Sequence, residues 1–466
     1  MRKIICALLL AVCLPLAACA ADIPDTSEPD RSDDESKAGT ISVPLDVLPD
    51  MEYNQSEFVI WTTEPSVVTE NDAVASSISK VFAERTDELE NKFDVAISAV
   101  VMSKSEILSS LRSGKAAGTD GCDLILMPSD SAGTAAAEGC LVNMWSLPYF
   151  SAAAKSLDGL AEEQTINNSL YMLASNDSFA AQNAVSVYYN RDIISKNGLK
   201  DPYYAVINGT WTVDLMLEYI KACSTVADKR SPDIKTDTFG FTCEGLDYTD
   251  LINSVWNGSG IEYFGTTMGR PIYAEFDESR GKAATAAAKA LIDSNTLLYD
   301  KSVNGSDVFL SGRVVFCLTV FNRYLTDGSL NGMNWGIAPM PKAESGQEGY
   351  SCMLPEALCL CVPAGTADSE RAGLLLSGWI IASGEAEDAL LKFYITYCST
   401  DNMNTVMMQT VFDSVQFTKT ELYSGIYRIN EVGRKLIAAS VTDGIDLLKY
   451  IRWQDSYVTA AMEKFK

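Results

Sequence analysis

Two groups of side chains that could bind a polar solute follow predicted β-strands near the start of the chain. Trp61, Thr62, Thr63 and Glu64 stand at the end of the strand pattern that begins EFVIW, and Ser129, Asp130 and Ser131 follow the pattern CDLILMP. An aromatic ring can cover the C–H face of a hydroxyl-rich molecule, while hydroxyl and carboxylate groups hydrogen-bond its hydroxyls. These residue types therefore indicate non-covalent binding.

The elements that position these groups alternate between strands and helices. EFVIW and FDVAISAVV read as strands on either side of a helical pattern, and SKSEILSSLRSG follows as a helix in which Ser103 and Glu106 form a capping box. Short joints between such elements are typical of a parallel, doubly wound sheet, in which ligands bind beyond the carboxyl ends of the strands. Both groups are thus expected at one edge of one sheet. A second α/β block begins near Asn183.

The composition excludes several classes of function. The sequence contains no histidine, which rules out histidine-based triads, general bases and metal sites. A net charge of -26 argues against nucleic acid as a partner, because such binding needs a basic surface. Cys359 and Cys361 lie on one face of a predicted strand, but a metal site would need two more soft ligands with matching spacing. We therefore predict buried thiols, no metal and no cofactor.

The first residues read as a targeting segment. Arg2 and Lys3 precede a short apolar run, so residues 1–18 are predicted to be a signal peptide and not a membrane span. Its end, Leu-Ala-Ala-Cys, resembles a bacterial lipobox and makes Cys19 the predicted lipidation site; cleavage before Ala21 with free secretion is the alternative. The acidic, proline-containing residues 19–52 are predicted to be a flexible linker.

Three longer segments resemble the extracellular solute-binding proteins of ABC importers, in the branch that binds maltodextrin and other oligosaccharides. They are VYYNRDIISKNGL with the later GTWTVDLMLEYIKAC, then DVFLSGRVVFCLTVFNRY, then NWGIAPMPKAESGQEGYSCMLPEALCLCVPAG. Arg191 departs from the usual lysine of this family. The second segment also lacks the Gly-x-Trp often found at the strand end, which leaves Tyr324 as the nearest aromatic residue there.

The resemblance implies a two-lobed, periplasmic-binding-protein-like fold of type II. Each lobe would be an α/β unit with a mostly parallel sheet flanked by helices, and hinge crossovers would join the lobes. The expected boundaries are 53–165 plus 300–345 for lobe one, and 166–299 plus 346–466 for lobe two.

The function that the resemblance implies is capture of a small solute in the cleft between the lobes and delivery to an ABC permease. The protein would be a monomer, held by its lipid on the extracytoplasmic face of the cell membrane, and not an enzyme. A sugar or oligosaccharide is the first expectation, and a polyamine or other polar metabolite is the second, because Glu64 and Asp130 could bind a cation. A surface glycoside hydrolase that uses two carboxylates, or a lipoprotein that binds a cell-wall polymer, remains an alternative.

The candidate ligand contacts lie at strand ends, helix ends and crossovers. For each of them a packing, capping or solvated role is the alternative, as with Trp145, which neighbours apolar residues. Trp211, Tyr188 and Tyr189 are assigned to packing. The candidates are Trp61, Glu64, Ser129, Asp130, Trp145, Asn176, Asp177, Trp256, Asn257, Asn322, Arg323, Tyr324 and Tyr350.

Overall fold

Strands of the chain assemble into two larger sheets and two small ones. The computed structural model describes residues 43–68, 76–119, 121–175, 180–226, 233–261, 264–267, 270–273, 278–294, 304–384, 386–426, 429 and 431–463. Its strands, in chain order, are β1 Ser56–Thr62, β2 Val95–Val101, β3 Leu124–Pro128, β4 Leu173–Ala174, β5 Val185–Asn190, β6 Phe239–Cys243, β7 Phe264–Thr267, β8 Arg270–Tyr273, β9 Val314–Val320, β10 Trp335–Pro339, β11 Cys352–Met353, β12 Leu358–Cys361 and β13 Val415–Gln416.

The first sheet has the strand order β2-β1-β3-β12-β4. β1 pairs in parallel with β2 and β3, whereas β12 runs antiparallel to both β3 and β4. Leu124, Ile125, Leu126 and Met127 of the central strand β3 are all buried, because helices cover both faces of the sheet. This sheet forms the core of lobe one.

The second sheet has the order β10-β5-β9-β6. β5 runs antiparallel to β9 and β10, and β6 runs parallel to β9. All six residues of β5 are buried, in agreement with a strand that lies between two others. This sheet forms the core of lobe two, and β11 with β13 and β7 with β8 form the two small sheets.

The observed pairing differs from the expected division of the chain. β9 and β10 lie within residues 300–345, which were expected in lobe one, yet they pair in the sheet of lobe two. β4 and β12 lie within residues expected in lobe two, yet they pair in the sheet of lobe one. Both sheets are also mixed, not mostly parallel. A strand that is buried on both faces carries no alternation that could identify its partner or its direction.

Helices pack on both sheets and carry several of the polar side chains described below. α1 packs against α12 in lobe one, and α8 and α9 pack against α10 in lobe two. A π-helical turn, Glu431–Leu436, precedes the last two helices. The helices are α1 Ser76–Phe93, α2 Lys104–Ala117, α3 Ser129–Ala137, α4 Phe150–Ala153, α5 Leu160–Gln164, α6 Arg191–Lys196, α7 Pro202–Ile207, α8 Val213–Cys223, α9 Tyr248–Gly258, α10 Glu278–Ser294, α11 Gly305–Leu310, α12 Ser369–Ala382, α13 Ala386–Tyr397, α14 Asn402–Asp413, α15 Lys419–Leu422, α16 Ile437–Thr442 and α17 Leu447–Met462.

The end of the predicted linker is ordered against lobe one. Leu45–Val47 form a short 3-10 helix next to α12, and Leu48 is buried. Lys92 pairs with Asp46 at 3.6 Å and with Asp50 at 3.0 Å. Residues 43–52 therefore do not behave as the predicted linker, because Leu48 anchors them. Residues 1–42, including Cys19 and the predicted signal peptide, lie outside the described part of the chain.

Two further predictions concern membrane spans and metal sites. Among the described residues, no helix combines the length and the apolarity needed to cross a bilayer. The same part of the chain contains no cluster of three or more cysteine, aspartate and glutamate side chains that could hold a metal ion. Cys361 is a buried thiol, and burial raises its pKa well above the ordinary value.

Candidate functional site

The carboxyl ends of β1 and β3 meet at one edge of the first sheet. The amide of Thr63, just beyond β1, donates to the carbonyl of Leu126 at 3.2 Å. Ser129 begins α3 directly after β3, and its amide donates to the carbonyl of Ala357 at 2.8 Å. The two groups of polar residues that follow these strands therefore lie on the same edge.

An ion-paired cluster extends this edge in lobe one. The ammonium of Lys104, at the first turn of α2, lies 2.9 Å from the carboxylate of Asp130 and 3.2 Å from that of Glu356. The hydrogen bond to Asp130 is the main cause of a raised pKa for Lys104, so the ammonium stays charged. Three elements that are distant in the sequence thus place a cation between two carboxylates.

A second ion pair faces this cluster from lobe two. Asp247 and Asp250 form a capping box at the start of α9, and Asp250 also pairs with the guanidinium of Arg434 in the π-helical turn. The amide of Asn253 donates to the carbonyl of Arg434 at 3.3 Å. Burial lowers the pKa of Arg434, and the charges of Asp247 and Asp130 act in the opposite direction. Asp130 belongs to lobe one, so this electrostatic contact spans the lobes.

Glu421, on α15, lies where the two lobes meet. α15 packs against α3, and Glu421 and Ser129 line the same crevice, which has no free volume for a water-sized molecule. Burial raises the pKa of Glu421 to about 8, against a smaller lowering by the nearby side-chain amide of Asn257 of α9. Arg434 lies 4.0 Å away. The carboxyl group is therefore mostly protonated at neutral pH.

We call this group of residues the interlobe cluster. Its members are charged or hydrogen-bonding side chains at the carboxyl edges of β3 and β6, together with residues of α15 and the π-helical turn that join them. The interlobe cluster consists of Lys104, Ser129, Asp130, Asp250, Asn257, Glu356, Glu421 and Arg434.

The candidate tryptophans are half-buried or buried. Trp61 is half-buried, and its ring lies against Gly121, where an added Cβ would be 3.0 Å from the ring atom Cζ2. Gly121 precedes β3, so the ring points away from the carboxyl edge. The indole N–H of Trp145 donates to Thr165 at 2.8 Å, and Trp256 is only 1% exposed inside lobe two.

The candidates near the end of β9 hold local structure together. Arg323 donates to Glu244 at 2.9 Å, and the amide of Asn322 donates to the carbonyl of Gln182 at 3.0 Å. Tyr324 is buried, its hydroxyl lies 2.9 Å from that of Ser306, and burial raises its pKa.

Tyr350 and Glu64 make contacts within their own surroundings. Tyr350 donates to the carbonyl of Val206 at 3.1 Å, and burial raises its pKa to about 12. Glu64 is exposed, and its amide donates to the hydroxyl of Thr62 at 2.9 Å in a local turn. Asn176 and Asp177 lie outside the described residues. Of the candidates that the structure describes, Ser129, Asp130 and Asn257 belong to the interlobe cluster.

Sequence reasoning missed the residues that complete the interlobe cluster. A sequence pattern could have identified Asp250. Asp247 and Asp250 have the spacing of a capping box, and a capping box marks the start of a helix. Glu356, Glu421 and Arg434 had none, because each is one of many charged residues and only the folded chain places them together.

Comparison with known proteins gives the family. A family model of the bacterial extracellular solute-binding proteins matches residues 84–410, which is most of the chain. The chain belongs to this family. A search of curated proteins found no match.

Solved structures of solute-binding proteins share the fold at low sequence identity. The sugar-binding protein MalE of Xanthomonas citri has a TM-score of 0.56 at 13% identity, over 88% of this chain and 98% of that one. The cyclic alpha-maltosyl-1,6-maltose binding protein of Arthrobacter globiformis has a TM-score of 0.56 at 14% identity, over 87% and 98%. The galacto-N-biose-/lacto-N-biose I-binding protein of the ABC transporter from Bifidobacterium longum has a TM-score of 0.55 at 11% identity, over 88% and 98%. These likenesses confirm the two-lobed, periplasmic-binding-protein-like fold.

Proposed function

We propose that this chain captures a small hydroxyl-rich solute, a sugar or oligosaccharide, at the interlobe cluster and delivers it to an ABC importer. The observation that supports this most is the ion pairing on both sides of the cleft. Carboxylates held by Lys104 and Arg434 keep fixed positions and retain acceptor lone pairs, which suits recognition of hydroxyl groups. The similar solved proteins named above are described as binding maltose-type sugars or lacto-N-biose.

Closure of the lobes is the proposed mechanism. The crevice beside Ser129 and Glu421 is filled in this conformation, so the lobes must separate there before a solute can enter. A solute that touches both Asp130 and Arg434 would favour closed conformations by its differential affinity for them. No covalent step is needed, in keeping with a family of binding proteins.

Calorimetric titration with maltotriose and sucrose tests the proposal. We expect the wild type to bind at least one of these sugars. The variant Arg434→Gln should bind the same sugar at least tenfold more weakly, which is the expected loss for about 1.4 kcal/mol of hydrogen bonding. Arg112→Gln is the matched control, because Arg112 pairs with Glu138 on an exposed surface of lobe one. Equal affinities in the wild type and Arg434→Gln would contradict this site, and turnover of a chromogenic glycoside would contradict a purely binding role.

A polyamine is the second candidate solute. The interlobe cluster contains three carboxylates, those of Asp130, Glu356 and Asp250, against the two cations Lys104 and Arg434. This excess of negative charge would attract a cation. Titration with spermidine separates the two proposals, because Arg434→Gln removes a positive charge and should strengthen spermidine binding while it weakens sugar binding.

We also propose that a lipid on Cys19 holds the protein on the extracytoplasmic face of the membrane. The lipobox pattern and the extracellular family support this placement. In the native host, Cys19→Ala should move the protein from the membrane fraction to the medium or periplasm. Retention of the variant in the membrane fraction would contradict the anchor, and capture of a cell-wall polymer in place of a small solute would favour an adhesive role.

A further inference from the structure

An open cavity of about 430 Å³ lies in lobe two. It lies at the edge of the second sheet that is opposite to the interlobe cluster. Asn190 ends β5 and Gly312 lies two residues before the start of β9, and both residues line the cavity. β5 runs antiparallel to β9, whereas β6 runs parallel to β9 and leads into α9. The carboxyl end of β6, which leads to Asp250, is therefore at the opposite edge. The cavity is separate from the proposed solute site.

The wall of the cavity includes the side-chain amide of a mostly buried residue, Asn190. Asn190 is 5% exposed, and its Oδ1 accepts a hydrogen bond from the amide of Ile193 at 3.0 Å, which caps α6. Its Nδ2 has no hydrogen-bond partner among the residues that the structure describes, and it would lie 3.7 Å from a Cβ built on Gly312. Nδ2 therefore has both of its N–H groups available to donate to a ligand.

The rim of the cavity adds hydrogen-bond donors, hydrogen-bond acceptors and two opposite charges. Asp192 accepts from the amide of Asn334 at 2.7 Å through Oδ1, which leaves Oδ2 available. Lys196 lies one turn further along α6 and carries the opposite charge, so the two charges of the rim balance. The hydroxyls of Ser311 and Ser329 donate to groups of their own loops and keep acceptor lone pairs. Asn331 is exposed on the same rim.

Apolar surface lies between these polar groups. Ile193, Leu310 and Met333 line the cavity together with the polar residues. A wall of this composition offers contact to C–H groups as well as donor and acceptor pairs to hydroxyls. A small anion or cation would gain little, because Asp192 and Lys196 oppose each other.

We propose that this cavity is a second binding site, for a small, neutral polyol such as a monosaccharide, with the Asn190 Nδ2 donating to a ligand hydroxyl. The site does not depend on the function proposed for the interlobe cluster. It would let the protein hold a hydroxyl-rich molecule on the outer surface of lobe two, whether or not the cleft is occupied.

Selective labelling of asparagine side chains with ¹⁵N gives a local readout. D-glucose and myo-inositol are titrated in turn, and the side-chain amide of Asn190 is identified by its loss in Asn190→Asp. We expect its resonance to shift and saturate with at least one of these polyols. Absence of any shift with both polyols at about 100 mM, a concentration that detects even very weak binding, would overturn the proposal.

Asn190→Asp also tests the donor without removing the helix cap. Aspartate caps α6 as well as asparagine does, but it replaces the donor with an acceptor. With binding followed at the Asn331 amide, the affinity should fall about tenfold or more, whereas the control Asn208→Asp should leave it unchanged. An unchanged affinity in Asn190→Asp would overturn the assigned contact. The Arg434→Gln variant should keep full binding at this cavity, and loss of binding there would show that the polyol occupies the cleft.

Discussion

Glu421 is the buried carboxyl group that should dominate the pH dependence of folding near neutrality. Its side chain lies between α3 and α9, and burial raises its pKa to about 8. An unfolded glutamate has a pKa near 4.3. Between these two values the folded state holds a proton that the unfolded state has lost, so this group makes stability fall as pH rises.

Glu421→Gln should remove this dependence, because glutamine stays neutral at every pH. Relative to the variant, the wild type should lose on the order of 4 kcal/mol of unfolding free energy between pH 5 and pH 8. Urea unfolding at several pH values measures the difference. Glu356→Gln is the control for loss of a carboxylate, since its side chain is half exposed. A constant difference between wild type and Glu421→Gln would contradict a protonated carboxyl group.

The ion pair between Asp250 and Arg434 should be strongly coupled. Both side chains are mostly buried, and replacement of one partner leaves the other charge poorly solvated. We expect Arg434→Met to cost about 2–4 kcal/mol, and Arg434→Met combined with Asp250→Asn to cost clearly less than the sum of the single changes. A double-mutant cycle by urea unfolding checks this, and strictly additive costs would show that the pair contributes no coupling.

At the scale of secondary-structure elements, α15 packs closely against α3 beside the crevice that Ser129 and Glu421 line. Gly425 follows α15, and a side chain at this position would collide with the backbone carbonyl of Asp130. The hydroxyl of Thr134, one turn into α3, also donates to the carbonyl of Gly425 at 3.3 Å. The close approach of the two backbones therefore requires glycine here.

Gly425→Ala should force α15 away from α3 and lower the free energy of unfolding by about 1–3 kcal/mol, as overpacking does. Thermal or urea unfolding measures the loss. Gly349→Ala is the matched control, because a Cβ there meets open space. Equal stability of the two variants would mean that α15 can move away from α3 without any loss in the free energy of unfolding.

At the scale of the whole molecule, the net charge of -26 should make stability depend on salt. Like charges spread over one compact chain repel each other, and added salt screens this repulsion. An increase of NaCl from 20 mM to 500 mM should raise the free energy of unfolding by about 1 kcal/mol. Urea unfolding at both concentrations provides the test, with KCl as a check on ion identity. A fall in stability would show that screened ion pairs outweigh the net repulsion.

Local patterns in the sequence correctly predicted many elements of the fold. The capping box of Ser103 and Glu106 occurs at the start of α2 as predicted. Caps involve residues three or four positions apart, so the chain near them contains the required information. The same holds for the edge shared by the ends of β1 and β3, because parallel strands joined by helices must end on the same side.

The sequence by itself determined the family, the alternation of strands and helices and the edge at which Ser129 and Asp130 lie. Only the tertiary structure decided that β9 and β10 pair with β5, that the Trp61 ring lies against Gly121, and that Glu421 and Arg434 come close together. Strand partners and side-chain surroundings depend on residues hundreds of positions apart. An apolar strand or a single charged residue packs equally well in many such surroundings, and the final choice follows from the packing of the whole chain.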